Sequence, residues 1–206
     1  MARLMNKNGC LDLAKKLIEK HPDILNSPEG FLLHLGDTYD IAGEVVDASF
    51  SRYPGLRLKL SKEEVALAAG LHDIGRPLSD KTQVFHELIG ASYIEDEGIK
   101  ENVADSLATI YRIAQMFRPH YLVAEQYEDA ENSITKAKLK PIDPLLLLPR
   151  TWQEFIVIYS ELSNINSKRV SIQERIADVK NRYANDPEYN QNTSFIRAMQ
   201  SGLPES

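Results

Sequence analysis

The sequence predicts an all-α fold, and three observations carry that prediction. Apolar residues recur at three- and four-residue intervals along most of the chain, the spacing that lines one face of a helix. Ser61 with Glu64, Thr151 with Glu154 and Ser171 with Glu174 each have the form of a capping box, which starts a helix by satisfying its first amide groups. No stretch shows sustained two-residue alternation, so strands of ordinary length are not expected.

At 206 residues the chain is long enough for one domain with an appended segment and a large core without staples. Its formal net charge of -6 gives no broad attraction to nucleic acid or anionic membranes, so long nucleic acid is disfavoured as a partner. The single cysteine, Cys10, excludes internal disulfides and thiolate zinc clusters and agrees with a reducing compartment. The N-terminal apolar stretch is cut by Asp12, Lys15 and Lys16, which is unlike a signal peptide. The longest apolar runs, 145–148 and 155–159, fall far short of the ~20 residues a bilayer requires. A cytoplasmic protein without a membrane partner is the expectation. Loops of the GxGxxG or GxxxxGK[ST] kind are absent, so any phosphate must be held by other means.

Leu13, Ala14, Leu17 and Ile18 mark a short amphipathic helix over 11–20, closed by Pro22. A second helix, 31–50, carries Leu35, Ala42, Val45, Val46 and Phe50, and Tyr53-Pro54-Gly55 ends it. His34 shares a face with Ile41 and Val45, so it points toward the core. The third helix, from Ser61, runs through Ala66, Ala68, Ala69 and Gly70 and delivers His72 and Asp73 to its C-terminal end, where Gly75 and Pro77 stop it. A fourth starts near Val84, carries His86 and stops at Gly98. A fifth spans 101–117 and leads to Pro119 and His120. Residues 121–140 read as a partly helical excursion, and Pro141, Pro144 and Pro149 interrupt any helix beyond it. Thr151 opens a helix with Trp152, Phe155, Ile156, Tyr159 and Leu162, and Glu161 lies near its end. Ser171 opens one more, with Ile172, Ile176, Val179 and Tyr183 in one stripe, and the tail 185–206 reads as a short helix and a frayed end.

Four of the five histidines, His34, His72, His86 and His120, lie inside or at the ends of apolar helices. A polar core residue requires a partner, and four imidazoles in such places point to one shared centre. Imidazole with carboxylate and no thiolate suits a divalent metal ion, Mn, Fe, Co, Ni or Zn, and Mg where carboxylate and water dominate. Adjacent residues on a helix diverge by roughly 100°, so His72 and Asp73 share an ion only beyond the helix end, with other segments adding ligands.

These motifs resemble the HD superfamily of metal-dependent phosphohydrolases, in particular its HDIG-bearing branch. Leu71-His72-Asp73-Ile74-Gly75-Arg76 has the form of the family signature, and His34 with Ile41-Ala42 resembles the upstream ligand helix. His86-Glu87-Leu88-Ile89-Gly90-Ala91 resembles the next histidine with its Gly-Ala, and Arg118-Pro119-His120 falls where a further histidine is usual. The family typically ends its last ligand helix with Ala-Asp. Ser160-Glu161 stands there instead, and Glu161 is its counterpart.

The resemblance implies an HD-like helical bundle over 31–184, preceded by a helical extension, 1–30, and followed by a tail, 185–206. It implies an ion held by His34, His72, Asp73 and Glu161, with Asp73, His86 and His120 as catalytic residues. Such an ion lowers the pKa of bound water toward ~7 and polarises the phosphoryl group. His86 and His120 would hold a second ion, or orient phosphate and protonate the leaving oxygen. Arg76 and Lys81 are the candidates for neutralising phosphate charge. The implied partner is a small phosphate ester, with a nucleotide the class that resemblance favours. The alternative is an impaired HD domain that binds a nucleotide or a partner without catalysis. Metal identity, a homodimer and a lid over 121–140 stay open.

Overall fold

The core is built on the most apolar stretch of the chain. In this computed structural model, which describes residues 3–79, 85–119, 148–165 and 168–182, every residue from Val65 to Leu71 is buried. A helix apolar all round has no face for solvent and must sit inside.

The chain reaches that position through α1 (Lys7–Lys20) and α2 (Pro28–Arg52). Both begin earlier than periodicity suggests, because Asn6 and Ser27 cap their first amides and Pro28 occupies the first turn of α2. Helix α3 (Lys62–Leu71) starts at Ser61, whose hydroxyl accepts from the Glu64 amide, and packs against both. Cys10, Leu13, Ala14 and Leu17 of α1 are buried in the same cluster as Leu35, Ala42 and Val46 of α2. The N-terminal segment therefore shares the main core.

Helices α4 (His86–Glu97) and α5 (Leu107–Phe117) pair with one another, and α5 also packs on α3. The expected start of the fifth helix at Glu101 is corrected to Leu107, after Ser106. Residues before Ser106 are buried for another reason. Val103 accepts a backbone bond from the Met5 amide at 2.9 Å, and Ala104 bridges to Leu4, so an N-terminal arm covers them. The fourth helix begins at His86, and Phe85 before it has φ 60°, a left-handed conformation, with its side chain fully buried.

Helix α6 (Trp152–Leu162) opens with the expected capping box and packs on α2, α3 and α5. A short antiparallel hairpin then pairs Asn164 with Arg169 and Ile165 with Lys168. Two-residue strands leave no alternation to read in a sequence. The hairpin turns the chain back into α7 (Ile172–Arg182), where the Ser171 and Glu174 side chains bond reciprocally to each other's amides, as a capping box does. Lys81, His120, the excursion 121–140, the side chains of Ile176 and Val179, Tyr183 and the tail 185–206 lie outside the described residues. Among the described residues that hairpin holds the two strands, and the other elements are helices. No described helix is long and apolar enough to cross a membrane.

Candidate metal centre

Helix α3 ends at Leu71, and the turn over 72–75 brings adjacent side chains together as a helix interior could not. His72 Nε2 lies 3.5 Å from Asp73 Oδ2. The His72 Nδ1–H donates to the Ala69 carbonyl at 2.7 Å, which in the neutral ring leaves Nε2 as the acceptor nitrogen. From α2, His34 brings its Nε2 to 3.2 Å from His72 Nε2 and 3.7 Å from Asp73 Oδ2. It lies at the edge of the core rather than within it, half-buried.

Glu161 arrives from α6, buried to 2% exposure, and one donor atom each from His34, His72 and Glu161 lie within 4.8 Å of one another. Its position is stapled to α2. Asn164, just beyond α6, donates from Nδ2 to the His34 carbonyl and to Thr38 Oγ1, both at 3.2 Å. The Ser160 hydroxyl folds back onto the Ile156 carbonyl at 2.6 Å, so this serine acts as a small buried residue.

Asp73 is the hub of the charged part. Its Oδ2 accepts from Arg76 Nε at 2.6 Å, and its Oδ1 pairs with His86 Nε2 at 2.8 Å. His86 also lies 3.3 Å from Glu87 Oε1. This contact requires α4 to press on the turn, and glycine permits it. A Cβ built on Gly75 would stand 2.5 Å from the Gly90 amide nitrogen and nearer still to the His86 carbonyl. Gly75 has a negative φ, so close approach rather than a left-handed turn explains it.

Burial and charge divide the titrating groups. Burial, with the neighbouring His72, lowers His34 to about 4, and burial likewise lowers His72, so both imidazoles are neutral near pH 7. Burial alone would raise Asp73, but Arg76 above all, then the adjacent imidazoles, hold it well below the usual carboxylate range. For His86, burial opposes protonation, yet Glu87 and Asp73 outweigh it and raise its pKa. Burial pushes Glu87 up. Burial also pushes Glu161 up to about 8, against the opposing pull of Arg175.

These donors fit a divalent cation. Two nitrogens each ~2.1 Å from one ion stand roughly 3.0 Å apart at a right angle and roughly 3.4 Å apart in a tetrahedron. The observed 3.2 Å between the His34 and His72 Nε2 atoms falls between those values.

A family model for the HD domain matches residues 34–140, a little over half of the chain. The chain belongs to the HD domain family. No curated protein and no solved structure matches it. HD domains are typically metal-dependent phosphohydrolases, and metal-dependent hydrolysis is the general activity that membership indicates. The matched segment contains His34, His72, Asp73, Arg76 and His86, whereas Glu161 lies beyond it.

Arg175 escaped the sequence reading, although it touches Glu161 at 3.5 Å. The signal was there. Arg175 follows Ile172 by three residues and precedes Val179 by four, so a cation sits within an apolar stripe. Asn164 had no such signal, because polar residues after a helix are ordinary.

Proposed function

We propose that this HD domain hydrolyses a small phosphate ester with the help of a divalent ion, a nucleotide being the class that the family resemblance favours. The observation that carries the reading is the convergence of His34, His72 and Glu161 donors from three helices, with Asp73 at 3.5 and 3.7 Å from the two imidazoles. His34, His72, Asp73 and Glu161 would hold the ion, which supplies an activated water and polarises the phosphoryl group. Ala69 orients His72 through its Nδ1 proton. His86, whose pKa Glu87 and Asp73 raise against burial, is the source of a proton for the leaving oxygen. Arg76 neutralises phosphate charge on the side away from Asp73, because its side chain remains 31% exposed while it holds that carboxylate. The family resemblance adds Lys81 as a candidate for neutralising phosphate charge and His120 as a candidate partner of His86, either in acid and phosphate-orienting work or around a second ion. The hydrolase unit is 31–184, acting in the cytoplasm.

A second reading has one observation in its favour. Arg76 pairs with Asp73 and Arg175 with Glu161, so an HD domain without metal could use internal cations and serve as a binding module. The Arg175 contact is long, and burial still dominates Glu161, so the pairing is incomplete.

Metal analysis decides between them. Protein purified without chelator is expected to carry near-stoichiometric metal that is lost in Asp73→Ala and Glu161→Ala, and to cleave phosphate esters with added Mn, Co, Ni or Mg. Wild-type protein with neither metal nor metal-dependent activity would overturn the hydrolase reading.

A further inference from the structure

Arg175 is a buried cation whose donors are poorly used. Its side chain is 9% exposed. Nη2 lies 3.5 Å from Glu161 Oε1 and Nη1 lies 3.4 Å from Asp178 Oδ2, while Nε has no hydrogen-bond partner among the described residues. Charge-assisted bonds of this kind normally measure about 2.7–2.9 Å. The same chain shows what a structural pair looks like: Arg112 grips both oxygens of Glu64 at 2.7 and 3.1 Å, although Arg112 is largely exposed. A guanidinium held in water makes the tighter pair, and one held out of water makes the looser. That order is the reverse of what stability alone would produce, because burial raises the cost of every unused donor.

Position gives the unused donors a purpose. The hairpin after α6 returns the chain so that Arg175 lies beside Glu161, the carboxylate grouped with the His34 and His72 nitrogens. Arg76 holds Asp73 as Arg175 meets Glu161, so a guanidinium lies against each of the two candidate carboxylate ligands. A planar fork of N–H donors matches the oxygens of a phosphoryl group better than any single-atom partner.

We propose that Arg175 is a substrate-binding residue of this centre, its guanidinium taking an oxygen of the phosphoryl group beside the metal donors. The inference rests on the hydrolase reading for its substrate, but its test does not require turnover. Calorimetry on full-length protein measures manganese binding alone, then inorganic phosphate with and without manganese, in wild type, Arg175→Lys and Arg175→Gln. Phosphate affinity is expected to fall at least tenfold in Arg175→Gln and less in Arg175→Lys, which keeps the charge and loses the fork, with manganese affinity changed under threefold. For any ester that is turned over, KM rises more than kcat falls. Wild-type protein that binds phosphate through Arg175 yet cleaves no ester would uphold this inference while refuting the hydrolase reading. Unchanged phosphate affinity in Arg175→Gln would overturn it, as would wild-type protein that binds no phosphate. Joint loss of manganese and phosphate binding in both variants would also overturn it, by making Arg175 a structural anchor of Glu161. Should Arg175→Gln fail to fold, the Arg175→Lys measurement alone decides.

Discussion

Replacing Gly75 with alanine adds one methyl group where two backbones meet. The new Cβ would stand 2.5 Å from the Gly90 nitrogen, about 0.9 Å inside ordinary contact at 3.4 Å, and the His86 carbonyl is closer still. Neither obstacle is a side chain that can rotate away, so the first turn of α4 must retreat by roughly an ångström. His86 Nε2 rides on that turn, 2.8 Å from Asp73 Oδ1, and the same displacement carries it out of hydrogen-bond range. Overpacking of this kind costs about 1–3 kcal/mol, and a buried charged hydrogen bond left unmade adds about 1–3 kcal/mol. The expected loss is about 2–6 kcal/mol, or about 1–3 M in the urea midpoint at an m-value of ~2 kcal/mol/M. Gly55→Ala is the matched control, since a Cβ there meets nothing within 4 Å and should leave the midpoint nearly unchanged. Urea unfolding followed by circular dichroism reads both. A Gly75→Ala protein as stable as Gly55→Ala would refute the contact between α4 and the turn.

Asp73→Asn keeps the volume and removes the charge that raises His86 and anchors Arg76, so the His86 pKa falls; an imidazole titration by NMR that matches wild type would count against the assignment of Asp73 as hub. In metal-free protein the Glu161 carboxyl, raised from 4.5 to about 8, keeps a proton that the unfolded chain releases, so its contribution to stability is full below pH 4.5 and is lost as pH rises to about 8. Thermal unfolding with chelator from about pH 5 to 9 should slope downward through that window in wild type and less in Glu161→Gln, and parallel slopes would exclude the effect. Metal affinity should climb across the same window as the carboxylate forms. Burial pushes the Cys10 thiol up to about 12, so a thiol reagent should react only on unfolding, and rapid labelling of native protein would contradict its position.

The sequence made α3 plain, because a cap followed by small apolar residues on every side has no reading other than a buried helix. His34, His72 and Asp73 were visible for a related reason, being polar groups in apolar company, His34 within α2 and the other two at the end of α3. The start of α5 was not, since Val103 and Ala104 are buried by an N-terminal arm, and periodicity registers that they are buried without telling what covers them. Close approach at Gly75 was likewise hidden. A glycine two residues before a proline looks like a stop signal, and only the position of α4 reveals that a methyl group has no room there. Arg175 carries the same kind of signal as His34, a charged or polar side chain in an apolar stripe, on the last described helix.

The candidate donors are spread unevenly along the chain, and this has a consequence for biosynthesis. During N-to-C synthesis His34, His72 and Asp73 emerge early, whereas Glu161 comes 88 residues after Asp73. A nascent chain halted before α6 would therefore present two imidazoles and one carboxylate without the group that closes the set. Under the proposed ligand set, tight metal capture would mark a chain that has reached α6, and a fragment trimmed to the matched segment 34–140 would lack the fourth donor. Loading would come last, after the ribosome has released α6 to dock against α2, and it would stabilise only molecules in which that docking has occurred.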